Sequence, residues 1–359
     1  MKLKFSEIIN LNSLSPQTEF EEKVVSFLED WFSDSEMVSV QTSGSTGKPK
    51  IFEVEKQRML NSAKMTCDFL KLKKGNSALL CLPVEYISGK MMLVRSIERG
   101  LKLSIVNPTS APMEFFNEEI DFCAMSPLQV ENSLNKIHLI KNLIIGGAQV
   151  SATLKEKLTQ KCKNSNAQTK IYETYGMSET LSHIALKKIY PIAEDYFTVL
   201  KDVEIALDER GCLVISAPKL NPQLLKTNDL VELKDLDFPE SDKKQFKFLG
   251  RFDNVINSGG LKIHPEELGK LVNNQISNEV VFLGINDQKL GQKLVLLIEG
   301  NESDEIKNQL SAIIYPSKNH KPKKVVFKKE FPRLPNGKID RLKLLNSLIK
   351  QTNPSSKIP

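Results

Sequence analysis

The sequence contains few cysteines and no long apolar run, and each absence excludes a class of protein. Its five cysteines, in 359 residues, are odd in number and form no Cys-X-X-Cys pair. This usage argues against a disulfide framework or a zinc site and favours a reducing, cytoplasmic setting. No run of 18 apolar residues occurs, so we expect no membrane span. The stretch Met1–Glu7 also lacks the apolar core of a signal peptide.

Positive charge is concentrated in the last third of the chain. Residues 250–359 contain 18 Lys and Arg against 11 Asp and Glu, whereas the formal net charge of the whole chain is +6. The rest of the chain is therefore close to neutral. The basic cluster Lys318–Lys329 has no run of aromatic residues to stack on bases, which argues against a nucleic-acid surface. An anionic small molecule or a plain solvated face explains this cluster better.

Glycines and hydroxyl residues are concentrated in Thr42–Lys50, between two strand-like runs. Glycines let a backbone approach a ligand closely, and hydroxyls, N–H groups and lysine can bind phosphate oxygens. The stretch is not a Walker-type P-loop, because Gly44 and Gly47 are only two residues apart and Pro49 follows Lys48. A flexible linker is the alternative. Since a linker seldom lies between two strands, we favour a phosphate-binding loop.

The order of apolar runs predicts an α/β fold of about two domains. Short apolar runs at residues 78–82, 122–125 and 143–145 each precede a loop and a helical pattern, which is typical of a parallel sheet covered by helices. Residues 196–249 contain short β-like runs and predict a small β-barrel-like subdomain. A Gly–Gly turn and a helix opened by proline then begin a small α+β domain. We therefore predict a large amino-terminal domain over residues 1–249 and a small domain over 250–359.

Two further stretches place polar residues beside strands. Tyr175 could offer a flat face to a nucleotide base, and Glu179 could bind a hard cation such as Mg²⁺. The alternatives are a tyrosine packed in the core and a glutamate that caps a helix. Asp229 lies between two strands, where its carboxylate could accept hydrogen bonds from sugar hydroxyls or simply form a turn.

Taken in order, these stretches resemble the motifs of the adenylate-forming superfamily of acyl-CoA synthetases, luciferases and adenylation domains. The resemblance extends from about Val38 to Leu345, and several separated motifs in the same order are far more specific than one. Within the superfamily the chain is most similar to the o-succinylbenzoate–CoA ligases of menaquinone biosynthesis. That finer resemblance depends on residues 82–95, 175–183 and 254–260.

The resemblance implies that the chain binds ATP and Mg²⁺. The β- and γ-phosphates would contact Thr42, Ser43, Gly44, Ser45, Thr46, Gly47 and Lys50. The adenine would contact Gly146, Gly147, Ala148, Tyr175 and Gly176. The ribose would contact Asp229 and Arg251. Thr46, Ser178 and Glu179 would face the phosphates and the metal ion, with Thr46 and Glu179 taking part in catalysis.

It also implies a carboxylic acid substrate, coenzyme A and a mobile small domain. The acid would contact Tyr86, Ser88, Gly89 and Arg95. Arg95 or Lys90 would bind a second carboxylate, although a surface position is an equally good explanation of Arg95. The small domain would rotate at Asp253, so that Lys338 serves adenylation while Gly259, Gly260 and Lys262 serve the thioester step.

Four features depart from the superfamily's pattern. Only some 40 residues precede the phosphate-binding loop, so part of the usual amino-terminal subdomain is expected to be minimal or missing. Tyr86 replaces a common histidine, Ser178 replaces threonine, and Asn228 replaces the glycine before Asp229. Three other functions remain open: a ligase for another aryl or acyl acid, an adenylation protein that loads a carrier protein, and a paralogue that only binds nucleotide. Oligomeric state is also open.

Overall fold

The chain divides into two compact units. The computed structural model describes residues 1–7, 10–41, 51–114, 116–165, 168–234, 244–333 and 339–352. Unit 1 comprises Met1–Ala206, Val214–Lys226 and Leu233–Lys247, and unit 2 comprises Leu207–Leu213, Thr227–Glu232 and Phe248–Pro359. The domain division at residues 249 and 250 stays a prediction.

Helices and strands alternate along unit 1. Its helices are α1 (Glu19–Phe32), α2 (Lys56–Phe69), α3 (Ile87–Arg99), α4 (Pro127–Asn132) and α5 (Ala152–Asn164). Its strands are β1 (Lys2–Lys4), β2 (Met37–Gln41), β3 (Ile51–Glu55), β4 (Ser77–Leu80), β5 (Lys102–Ile105), β6 (Ile120–Met125), β7 (Ile140–Ile145), β8 (Lys170–Gly176), β9 (His183–Tyr190) and β10 (Phe197–Val199). The next four strands have residues in both units: β11 (Glu204–Leu207), β12 (Cys212–Ala217), β13 (Asn221–Leu233) and β14 (Gln245–Arg251).

Five neighbouring strands of unit 1 form the predicted parallel sheet. They lie in the order β5-β4-β6-β7-β8 and all pair in parallel. β1 pairs antiparallel with β5, and β9 pairs antiparallel with β8. The full strand order of this sheet is β1-β5-β4-β6-β7-β8-β9-β10-β14-β13-β12-β11. The α/β fold class is therefore confirmed, whereas β1 was not predicted, since three residues are too few for a hydrophobic period.

Side-chain caps begin some of these helices, and α5 packs into an apolar core shared with the strands. The Ser126 hydroxyl and the Gln129 side chain form a reciprocal capping box at the start of α4, and the Ser151 hydroxyl caps α5. Leu154 and Leu158 of α5 are buried in the same cluster as the strand residues. Because the strands are covered by helices, their apolar runs are continuous rather than alternating.

A buried carboxylate links β8 to its neighbours. Glu173 is 5% exposed, and it accepts hydrogen bonds from Val150 N (3.1 Å) and Lys155 Nζ (2.7 Å). Lys187 Nζ of β9 lies 3.1 Å from the same carboxylate. Burial raises the pKa of Glu173, but the two lysine charges and the hydrogen bonds outweigh burial and lower that pKa below its ordinary value.

Unit 2 contains a separate sheet with a core on each face. Its elements are β15 (Ile256–Ser258), β16 (Leu261–Ile263), α6 (Pro265–Asn273), β17 (Val280–Asp287), β18 (Gly291–Glu299), α7 (Asp304–Ser311), β19 (Lys324–Lys328) and α8 (Arg341–Thr352). The order is β16-β15-β18-β17, with β19 parallel to β18. Alternate residues of β17 pack on opposite faces: Phe282 lies in the cluster with Leu268 of α6, while Leu283 lies with Leu344 of α8.

The five cysteines are free and buried, and none forms a disulfide. Within the described part of the chain, no helix is both long enough and apolar enough to cross a membrane.

The surroundings of Glu173 predict a pH-dependent stability. Replacing Glu173 with Gln leaves two lysines without their buried partner, which typically costs about 3–5 kcal/mol. The folded pKa lies below the unfolded value of about 4.3, so this stabilisation is present above that pH and is lost as the pH falls through the folded pKa. Urea unfolding at a series of pH values should therefore show a difference between wild type and variant at pH 7 that shrinks below about pH 4.

The matched control is Glu156→Gln, because Glu156 lies exposed on α5 beside Lys155. Its effect should stay within about 0.5 kcal/mol at every pH. An equal effect of the two substitutions would contradict this account of Glu173.

Candidate functional site

The ends of the predicted phosphate-binding loop are fixed by strands. β2 and β3 form an antiparallel hairpin whose last pair joins Gln41 to Ile51, as predicted. Gln41 also forms a parallel bridge with Tyr86, which places Gln41 beside the segment that leads into α3. Gln41 is the last described residue before the loop: Thr42, Ser43, Gly44, Ser45, Thr46, Gly47 and Lys50 lie outside the described residues, as does Lys338.

The predicted adenine-binding residues are brought together by strand register. β7 and β8 are neighbours with Ile145 opposite Glu173, so Gly146–Ala148, which follow β7, lie beside Thr174–Gly176, the last residues of β8. Gly147 and Ala148 are exposed, and Tyr175 is half-buried. The Tyr175 ring meets Phe246 edge-on at 4.9 Å and Phe197 at 5.8 Å between centroids. These two phenylalanines hold the ring, and sequence reasoning missed them because both lie far along the chain.

A tight turn after β8 displays Ser178 and Glu179. A Cβ atom at Gly176 would lie 2.2 Å from Ser182 O, so only glycine lets β8 approach this segment so closely. The buried Thr180 hydroxyl accepts from Met177 N (3.1 Å) and donates to Ser182 O (2.7 Å), which closes the 3₁₀ turn. Glu179 is exposed on this turn.

The donor set at this turn fits a magnesium ion that is bound together with phosphates. Within the described ranges, the Glu179 carboxylate forms no ion pair, and no group of three or more potential metal ligands occurs. Mg²⁺ commonly binds one or two carboxylates and completes its shell with water and substrate phosphates. Glu179 would therefore supply one oxygen ligand and the nucleotide would supply others.

A positive charge is buried in α3. Arg95 is only 2% exposed, so its interpretation as a surface residue is wrong. Its Nη2 donates to Ser182 Oγ at 2.6 Å, and Nη1 lies 3.9 Å from Met92 Sδ. Nε has no hydrogen-bond partner in the described part of the chain, and no described carboxylate pairs with the guanidinium. Burial lowers the pKa of Arg95 to about 10, so the side chain stays charged at neutral pH.

The other residues predicted to bind the acid lie at the start of the same helix. Tyr86 precedes α3 and is half-buried, Ser88 is exposed, and Gly89 is buried. Lys90, the alternative cation, lies over the Phe27 ring at 5.0 Å from its centroid. Burial lowers the pKa of Lys90. Of the two candidate cations, only Arg95 contacts the segment that follows Glu179.

In unit 2 the predicted ribose-binding and hinge residues form one polar cluster. Asp229 is nearly buried, and its carboxylate lies 3.3 Å from Arg251 Nη1. Arg251 Nη2 also donates to Asp253 at 3.1 Å. The Asn228 amide donates to both Asp253 oxygens at 3.1 and 3.2 Å, and it accepts from Arg210 at 2.8 Å. Asn228, which departs from the superfamily's glycine, therefore holds the side chain of the predicted hinge residue.

The Gly–Gly turn of unit 2 connects β15 to β16. Ser258 pairs with Leu261, so Gly259 and Gly260 form a two-residue hairpin loop. Their φ angles are +58° and +79°, and such a loop requires positive φ at both positions, which glycine adopts without strain. Lys262 is exposed on β16 immediately after the turn.

Comparison with known proteins shows the family to which the chain is similar. Residues 13–211 match the family described as AMP-binding enzyme. The chain is 27% identical to 2-succinylbenzoate–CoA ligase of Listeria monocytogenes over 92% of its own length and 74% of that protein's length. It is 33% identical to an acyl-CoA synthetase (AMP-forming)/AMP-acid ligase II-like protein from Dyadobacter fermentans, with a TM-score of 0.64 and coverage of 97% and 99%.

The fold also matches a solved structure that contains an acyl-adenylate. This is the o-succinylbenzoate CoA synthetase of Bacillus subtilis in complex with the intermediate OSB-AMP, at 21% identity and a TM-score of 0.68, with 85% of this chain and 68% of that chain covered. The family match covers more than half of the chain, and the Dyadobacter protein matches it almost end to end. The chain therefore belongs to the AMP-binding enzyme family of AMP-forming ligases.

Proposed function

We propose that this protein is an ATP-dependent acid–CoA ligase that activates 2-succinylbenzoate, a step of menaquinone biosynthesis. The observation that carries the substrate assignment is Arg95, a buried guanidinium without a carboxylate partner among the described residues. A buried charge is costly unless something compensates for it. 2-Succinylbenzoate has two carboxylates, so one can react while the other pairs with Arg95.

The proposed reaction has two steps. One carboxylate of the acid attacks the α-phosphorus of ATP, which gives an acyl-adenylate and releases pyrophosphate. The sulfur of coenzyme A then attacks the acyl carbon, loses its proton, and displaces AMP. Negative charge develops in both steps, so fixed N–H donors and cations stabilise the transition states.

We assign the residues of this chain to these steps as follows. Tyr175 would offer its ring to the adenine, and Asp229 with Arg251 would bind the ribose hydroxyls. Thr42–Lys50 would bind the departing pyrophosphate, and a Mg²⁺ ion held by Glu179 would neutralise phosphate charge. Lys338 would take part in adenylation. The Gly259–Gly260 turn and Lys262 would take part in the thioester step, and the small domain would rotate at Asp253 between the two steps. Five buried thiols suit a reducing cytoplasm.

A ligase for a different aryl or acyl acid is the second candidate. The relatives named 2-succinylbenzoate–CoA ligase are only 24–27% identical to the chain, and substrate specificity can change over such distances. Arg95 favours a diacid in this case as well, because a monoacid would leave its charge without a partner.

One prediction of the proposed function concerns the acid itself. Acid-dependent exchange of labelled pyrophosphate into ATP, measured with a panel of carboxylic acids, should be fastest with 2-succinylbenzoate. Mass spectrometry with coenzyme A present should then detect the thioester. Exchange with a monoacid, and none with 2-succinylbenzoate, would refute the proposed substrate.

Another prediction separates function from stability at Arg95. In Arg95→Met, kcat/KM for the diacid should fall about 30-fold or more, since leaving a charge without its partner at a binding site costs at least about 2 kcal/mol. The free energy of unfolding should stay equal or rise, because an apolar side chain replaces a buried charge. Steady-state kinetics and urea unfolding measure the two effects.

Lys90→Met is the matched control, because Lys90 is the other candidate cation for the second carboxylate and lies over Phe27. Its kcat/KM should change less than about threefold, as is usual for a weak cation–π contact. A larger loss in Lys90→Met than in Arg95→Met would assign the second carboxylate to Lys90 instead.

A further inference from the structure

A chain of hydrogen-bonded polar groups leads from Arg95 into the core of unit 1. Arg95 contacts the Ser182 hydroxyl, which lies 3.3 Å from Nδ1 of His183. His183 Nε2 lies 3.0 Å from the Thr66 hydroxyl, and that hydroxyl donates to the Ser62 carbonyl oxygen at 3.1 Å. His183 is 6% exposed and Thr66 is fully buried. None of the roles assigned above uses His183 or Thr66.

The direction of the hydrogen bonds in this chain follows from its two ends, Arg95 and Thr66. A guanidinium can only donate, so the Ser182 oxygen accepts from Arg95 and its proton is free to point at Nδ1 of His183. At the other end of the chain, the Thr66 hydroxyl donates its single proton to the Ser62 carbonyl. Nε2 of His183 must therefore carry the proton that it donates to the Thr66 oxygen, and in a neutral imidazole Nδ1 is then the acceptor nitrogen. A neutral imidazole protonated at Nε2 satisfies the whole chain.

The surroundings of His183 keep its imidazole neutral. Burial lowers the pKa of His183, and the charge of Arg95 lowers it further, well below the ordinary value. A protonated His183 would carry a hydrogen on Nδ1 and could no longer accept from Ser182.

The fixed serine determines how the guanidinium is presented. With Nη2 bonded to Ser182 and Nη1 against the Met92 sulfur, Arg95 has one arrangement in which Nε–H is left without a partner among the described residues. A planar guanidinium held in this way offers Nε–H and the second hydrogen of Nη2 as a fork that matches a carboxylate. Without the fixed serine, the guanidinium could turn away from the acid.

We infer that His183 is a positioning residue that acts through Ser182 to aim Arg95 at the second carboxylate of the substrate, and so favours diacids over monoacids. The inference rests on the proposed function, because it requires an acid with two carboxylates. It assigns to Thr66 the role of fixing the tautomer of His183. Neither residue touches the substrate.

The test compares the diacid with its two matched monoacids. 4-Oxo-4-phenylbutanoate lacks the ring carboxylate of 2-succinylbenzoate, and 2-butanoylbenzoate lacks the chain carboxylate. Whichever carboxylate reacts, one of these two monoacids still has it. Exchange kinetics are measured for wild type, His183→Leu, His183→Asn and Thr66→Val. In His183→Leu the KM for the diacid should rise about tenfold, because the loss of one hydrogen bond to a charged group has about that effect. The KM for the reactive monoacid should change less than about threefold.

His183→Asn should recover at least about threefold of that loss, since its amide oxygen can take the place of Nδ1 as acceptor. Thr66→Val should give a change in the same direction, and it covers the case in which His183→Leu does not fold. A purely structural role would raise the KM for both acids alike, and that result, or no advantage of Asn over Leu, would overturn the inference.

Failure of the proposed function has a different signature. It would appear in wild type as an absence of exchange with the diacid, before any variant is considered. The hydrogen-bonded chain is tested separately by ¹⁵N NMR of the imidazole, assigned by its loss in His183→Asn. The spectrum should show a neutral ring protonated at Nε2 between pH 6 and 8, and a protonated ring or an Nδ1–H tautomer would overturn the inference.

Discussion

The constraint on which the site depends is the cost of burying a positive charge without a negative one. An ionised group removed from water loses its hydration, and only paired charges or several hydrogen bonds compensate for that loss. Arg95 has one strong hydrogen bond, to Ser182, and no carboxylate partner among the described residues. Burying this charge costs free energy that the described side chains do not offset. The second carboxylate of a bound diacid would offset that cost.

Unit 1 also contains a buried charge of the opposite sign. Glu173 is as inaccessible as Arg95, yet it accepts from a backbone N–H and pairs with Lys155 and Lys187. Its charge is compensated inside the fold, so Glu173 is explained by the positioning of β8 between α5 and β9. Two buried charges in one unit therefore have different explanations, and the number of partners distinguishes them.

Close packing around β8 connects these groups. Gly176 lets the end of β8 lie against the Ser182 carbonyl, and the Thr180 hydroxyl closes the intervening turn. As a result, Glu179 is exposed while Ser182, only three residues later, reaches Arg95. A short segment thus presents a candidate metal ligand on one side and fixes the candidate acid-binding cation on the other.

Much of the fold could be predicted from the sequence. Strands buried on both faces are continuous apolar runs, and the Gly259–Gly260 pair indicates a tight turn. The burial of Arg95 could not be predicted. Residues 91–96 of α3 are all buried, so the helix has no polar face at that point and periodicity gives no information about it. Nor could the partners of Tyr175 be predicted, because Phe197 and Phe246 reach it through strand pairing that no local pattern encodes.

The most direct measurement is a crystal structure of the protein with a stable analogue of the 2-succinylbenzoyl adenylate. The account predicts that the unreacted carboxylate lies about 2.7–2.9 Å from Nε or Nη2 of Arg95, the distance of a charge-assisted hydrogen bond, with Ser182 still bonded to the guanidinium. A carboxylate bound elsewhere, with Arg95 Nε paired to a protein group, would contradict it.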